Sequence, residues 1–93
     1  MAPSEFAHDL ASRIFNDRDI KPSLNVQAYF DTEDERAYMR HVLNGPVSSY
    51  VTKKGWRWVS AADVDLVGIT TVAGFEAIIA AHLVSPGTLG GDQ

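Results

Sequence analysis

The 93-residue chain contains no cysteine. Disulfides, thiol nucleophiles and cysteine-ligated zinc are excluded, and a reducing compartment is compatible with the composition. Basic residues are confined as well. Every lysine and arginine lies between Arg13 and Arg57, and the chain beyond Arg57 has none. With 8 Lys and Arg against 12 Asp and Glu, the formal charge is −4. That balance argues against non-specific attraction to nucleic acid or to an anionic membrane, while leaving room for a local basic patch. Long apolar runs are missing too. The longest apolar segment, Val72 to Val84, includes Glu76 and His82 and is shorter than the roughly 20 residues of a bilayer span. The opening MAPSEFAHDL has no positive region ahead of an apolar stretch, so it does not read as a signal peptide. The expectation is a soluble, cytoplasmic protein with no membrane partner.

Signatures of catalysis and metal binding are equally scarce. His8, His41 and His82 sit on three separate elements, without a His-x-x-x-His pair. Asp63 and Asp65 are two residues apart and would not share a helical face. No run of alternating carboxylates suggests a calcium loop. Ser48-Ser49 does not sit in a strand-to-helix elbow. Gly87, Gly90 and Gly91 precede no helix and so make no phosphate loop. These patterns predict a non-enzyme with no catalytic residue, no cofactor and no metal. Convergence of distant residues is the one route to an active site that spacing does not reveal.

What is present is a set of short periodic segments. Ser4 to Phe15 reads as a helix capped by Ser4, with Phe6, Leu10 and Ile14 at four-residue spacing. Leu24, Val26, Ala28 and Phe30 alternate with polar residues and Tyr29, the strand period. Asp31 to Leu43 reads as a second helix. Thr32 and Glu35 match a capping box, Ala37, Tyr38 and Val42, joined by Met39 and Leu43, supply its buried side, and Asn44-Gly45-Pro46 ends it. Val47 to Val59 reads as a hairpin turning at Lys53-Lys54-Gly55, with the glycine in the left-handed position. A short helix over Ala61 to Val67 would end at Gly68, and Thr70 or Thr71 would cap a last helix running to about Val84.

Several features are candidates for function. Lys53, Lys54 and Arg57 stand beside Trp56, Trp58 and Tyr50, a mixture of cations and aromatic rings that suits nucleic acid. Strand alternation instead turns both tryptophans into the core, or into a hot spot for a protein partner, with Arg57 facing away. The segment Ala61 to Ile79 has helix-turn-helix spacing. Its second helix, however, carries no Lys, Arg, Asn or Gln with which to contact phosphates or read bases. Asp31, Glu33, Asp34 and Glu35 form a compact acidic cluster. It serves either as helix-capping charge or as a dock for a basic partner. The last helix is apolar nearly all round, with Glu76 as its one clear solvent marker. It is the central core element, or it leaves a thin alanine face to solvent, or it buries the strip of Ile78 and Ala81 in a homodimer or partner interface.

The sequence therefore predicts one small α+β domain over residues 1–86, in the order α-β-α-β-β-α-α, with a three-stranded, partly antiparallel sheet packed against helices. Residues 87–93 read as a flexible glycine-rich tail. The expected function is a non-enzymatic protein-protein interaction module: an accessory subunit, an adaptor or a stoichiometric inhibitor. Its partner-binding candidates are Asp31, Glu33, Asp34, Trp56, Arg57, Trp58, Ile78 and Ala81. The alternative is a nucleic-acid-binding domain using Lys53, Lys54 and Arg57.

Overall fold

A computed structural model describes residues 1–86. The expected tail, 87–93, lies outside the described residues. The first helix, α1, spans Pro3–Ile14, and its cap position is Ala2 rather than Ser4. Pro3 fits the first turn because that turn's N–H groups have no helical partner. The Glu5 carboxylate reaches back to accept from the Ala2 N–H at 2.7 Å. At the other end Asn16 takes a left-handed φ of 57°. The Asp17 N–H then donates to the Ser12 carbonyl at 2.9 Å, which closes the helix.

The expected strand at Leu24–Phe30 does not form. Asn25 makes an isolated bridge to Thr71, and Gln27–Tyr29 is a single 3-10 turn. The Asn25 side chain accepts from the Gln27 N–H at 2.9 Å and bends the chain out of the extended state. Burial there has a spacing of four, not two: Val26 and Phe30 are buried, whereas Leu24 and Ala28 are exposed.

Helix α2 spans Glu33–Val42 and is capped as expected, with Thr32 Oγ1 accepting from the Glu35 N–H at 3.1 Å. It does not stop at Asn44-Gly45-Pro46. A π turn over Leu43–Val47 carries the chain directly into helix α3, Ser48–Lys53. Proline has no N–H, and its ring crowds the carbonyl four residues back. A wider turn moves the bonding pattern to five residues and removes that conflict. Met39, Leu43, Val47 and Val51 are all buried, so one apolar stripe runs through the proline. A spacing of four drifts against a period of 3.6, and the extra residue of the wide turn takes up the drift. Tyr38 and Ala37, expected inside, are exposed.

The predicted hairpin is therefore replaced by helix up to Lys53. Gly55 does hold the left-handed conformation, at φ 85°, but as a helix terminator. Its N–H donates to the Thr52 carbonyl at 2.9 Å, and the Trp56 N–H donates to the Val51 carbonyl at 3.0 Å. After it comes strand β1, Arg57–Trp58, which pairs antiparallel with β2, Leu83–Val84; Arg57 faces Val84 and Trp58 faces Leu83. The domain is a small α+β unit with a two-stranded antiparallel sheet, not a three-stranded one. Among the described residues it has three helical rods, with α2 and α3 joined into one.

Between the strands, the expected helix at Ala61–Val67 shrinks to a 3-10 turn, Ala61–Asp63. Val64 and Leu66 are buried by alternation in extended chain instead. The helix-turn-helix arrangement is thus absent from this segment. Helix α4 spans Val72–His82, with Thr71 Oγ1 accepting from the Gly74 N–H at 3.2 Å. It ends two residues early because Leu83 and Val84 form β2. Val72, Phe75 and Ile79 are fully buried, so α4 is the core element of the domain. It lies along α1. Phe75 packs on Phe15 and Phe30 with ring centroids 5.6 and 5.2 Å apart, and His8 Nδ1 meets Glu76 Oε2 at 2.8 Å. No helix of the described residues is long and apolar enough to cross a membrane.

Candidate protein-binding groove

The residues singled out in the sequence are scattered. Trp56 is only 6% exposed and stacks on Phe6 with centroids 4.5 Å apart, which makes it a core anchor. Trp58 is half-buried, and its Nε1 finds no acceptor among the described residues. Lys53, Lys54 and Arg57 are exposed at the end of α3 and on β1. Asp31, Glu33 and Asp34 are exposed at the start of α2. Glu33 is partly committed there, binding Arg36 at 3.2 Å and Arg40 at 3.8 Å. Arg36 in turn donates to the Phe30 carbonyl at 3.0 Å, tying α2 to the turn before it. Ile78 is half-buried against the core, while Ala81 is exposed together with Ala73, Gly74 and Ala77. Among the described residues no three His, Asp or Glu side chains gather into a metal-binding set.

The structure brings a different set together. Between α1 and the α2–α3 rod runs an apolar groove of about 580 Å³. Leu10, Arg13 and Ile14 line it from α1, Tyr38, Met39, Val42, Pro46, Val47 and Tyr50 from the α2–α3 rod, and Tyr29 from the turn before α2. All three tyrosines of the chain border it. Tyr38, Val42, Pro46 and Tyr50 recur every fourth residue, beside the buried stripe that starts at Met39. The distance from Tyr38 to Tyr50 along a helical rod is about 18 Å.

Each tyrosine is held differently. Tyr50 donates its hydroxyl to Asp9 Oδ2 at 3.2 Å. The Arg13 guanidinium lies over its ring, 4.2 Å from the centroid, and Lys54 Nζ approaches the same ring at 5.4 Å. Arg13 is itself paired with Asp9 at 3.3 Å. Tyr29 packs edge-on against Phe15, centroids 5.0 Å apart, and remains 50% exposed. Tyr38 is 65% exposed. The hydroxyls of Tyr29 and Tyr38 have no protein partner among the described residues. Tyr50 thus lies by Asp9, and Tyr29 by Phe15.

The groove's chemistry is that of an adhesive surface: aliphatic floor, rigid aromatic edges, and an arginine whose charge is shared with a neighbouring carboxylate. Tyrosine and arginine are the residue types that carry binding energy at interfaces. Sequence reasoning missed the groove because it stopped a helix at Pro46. The signal was there, in the stripe of Tyr38, Val42, Pro46 and Tyr50, and becomes readable once the rod is taken as continuous. No protein-family model, no curated protein and no solved structure matches this chain.

Proposed function

We propose that the protein is a non-enzymatic protein-binding module that holds a segment of a partner in the groove between α1 and the α2–α3 rod. It works by occupancy, as an adaptor, accessory subunit or stoichiometric inhibitor does. The observation that carries this reading is the pair of exposed rings, Tyr29 and Tyr38, whose hydroxyls have no partner among the described residues, beside an apolar floor. Rigid aromatic side chains give large contact area at low entropic cost. Asp31 and Asp34 add negative charge at one end and favour a basic element in the partner there.

The test is to pan a displayed library of random dodecapeptides against the full chain. The selected peptides are then titrated into wild-type protein and into a Tyr29→Ala/Tyr38→Ala double variant. The expected result is saturable binding that falls by about tenfold or more in the variant, the effect of losing about 1.4 kcal/mol of contact. Peptides that bind both proteins equally would move the site away from the groove. Salt-sensitive retardation of duplex or single-stranded DNA, abolished by changing Lys53, Lys54 and Arg57 to alanine, would replace the reading with a nucleic-acid one.

A further inference from the structure

We infer that the partner segment held in the groove carries an acidic side chain between apolar ones, and that its carboxylate rests on the Arg13 guanidinium. This deepens the reading of the groove as a docking surface and rests on it.

The sign of the occupant's charge follows from the lining. Apart from three tyrosines and Arg13, that lining is apolar. A tyrosine hydroxyl both donates and accepts, so the rings do not select between an acid and a base. Arg13 does. It is the one charged side chain that lines the groove, and a guanidinium donates without accepting. No carboxylate lines the groove to receive a lysine or arginine of the partner, which would meet the charge of Arg13 instead.

The guanidinium is also held in place. Its central carbon lies 4.2 Å from the centroid of the Tyr50 ring. Its Nε donates to Asp9 Oδ2 at 3.3 Å, and the Tyr50 hydroxyl donates to the same oxygen at 3.2 Å. Asp9 itself belongs to a polar hollow beside the groove, with Ser12, Asn16, Asp17 and Arg18, and Arg13 borders both. Of the five guanidinium N–H groups, the Nε one is committed to Asp9. The four on Nη1 and Nη2 have no protein acceptor among the described residues. A fixed planar fork with unspent donors can take a carboxylate on two parallel bonds, and little ordering is left to be done on binding.

Two comparisons narrow the ligand. A backbone carbonyl could use the same donors, but hydrogen bonds to an ionised acceptor are roughly twice as strong. Asp9 already offsets part of the arginine's charge, so a singly charged carboxylate matches the site better than a phosphate dianion. The flanking side chains are apolar because Leu10, Ile14, Val42 and Val47 line the same groove. Its volume of about 580 Å³ takes a few side chains rather than a folded surface.

The experiment is an amide-shift titration of the isotope-labelled full chain with three peptides blocked at both ends. Each has a leucine on either side of a central residue and Ser-Gly tails for solubility; the central residue is glutamate, glutamine or lysine. Blocked ends leave the glutamate side chain as the peptide's one carboxylate. The expected outcome is saturable shifts at residues lining the groove. The glutamate peptide should bind about fivefold tighter than the glutamine one at low salt, with lysine weakest. The factor is modest because the Arg13 side chain is 47% exposed. The preference should shrink near 1 M salt, where the Debye length is about 3 Å. This ranking is read on the wild-type chain, so it stands whatever a substitution does to the fold. Arg13→Gln should bring the glutamate and glutamine peptides to within about twofold of each other. Asp9→Asn keeps an acceptor for Arg13 and Tyr50 but removes the charge that competes with the ligand. It should raise the glutamate preference about twofold further, whereas an arginine that merely braces Tyr50 would show no such gain. Equal binding of the glutamate and glutamine peptides in the groove would overturn the inference and leave the groove as the docking surface. So would a preference that survives Arg13→Gln, or no gain in Asp9→Asn. Shifts outside the groove, or none with any of the three peptides, would overturn both.

Discussion

Helix α1 has two seams, and they are built on opposite terms. On one side it meets α4. There His8, Ala11 and Phe15 form a strip at spacings of three and four, with His8 bound to Glu76 and Phe15 packed on Phe75. Ala11 between them is fully buried. A small residue flanked by larger ones that reach across lets two helices close on each other. On the other side α1 meets the α2–α3 rod, and there Arg13, Tyr38 and Tyr50 stand among apolar residues such as Leu10, Ile14 and Val42. Long side chains with polar tips hold a seam open because their ends seek water while their stems pack. The same helix thus seals a core with its alanines and edges a groove with its arginine. Both seams hold aromatic rings, so aromatic content alone does not decide which is core. What differs is the residue beside the rings: a buried alanine in the closed seam, and an arginine with its polar tip in the open one.

The closed seam is where mutation should cost most. Phe75→Ala removes a fully buried ring that touches both Phe15 and Phe30. The expected loss is about 3–5 kcal/mol, the usual range for truncating a buried phenylalanine. Urea denaturation followed by tryptophan fluorescence measures it; a loss under about 1 kcal/mol would show that α4 is not the core element. Overfilling the same seam should cost less. Ala11→Leu forces extra volume between α1 and α4, for about 1–3 kcal/mol, and the same assay should place it between Phe75→Ala and wild type. A neutral result would mean that the seam has room to spare, and the contrast with the groove would fail.

Much of this division was readable in the sequence, and the part that was not has a definite cause. The cap at Thr32, the cap at Thr71, the left-handed Gly55 and the stripe of Phe6, Leu10 and Ile14 in α1 all follow from local chemistry: a hydroxyl that accepts from an early N–H, a missing Cβ, a repeat near 3.6. The sheet was overcounted because alternation at Leu24–Phe30 competes with the turn that the Asn25 side chain makes, and the turn wins. Pro46 misled more seriously. Its punctuation is strong locally, but the stripe of Met39, Leu43, Val47 and Val51 buries four apolar side chains, and a single wide turn costs less than abandoning them. The candidate site depended on that one decision. With the rod broken at Pro46, Tyr38 belongs to a helix and Tyr50 to a strand; with the rod intact they border the same groove.

The open seam gives the smallest stability effect and the sharpest contrast. Tyr38→Ala alters a ring that is 65% exposed and makes no hydrogen bond among the described residues. Substitutions at such positions stay within about 0.5 kcal/mol of wild type, and alanine's higher helix propensity favours α2. The expected urea midpoint is therefore unchanged, at the very position where binding should weaken. A midpoint lowered by as much as that of Ala11→Leu would show that Tyr38 packs as core, so that both seams of α1 are sealed. An unchanged midpoint with lost peptide binding separates the two functions of α1: one face holds the fold together, and the other holds a partner.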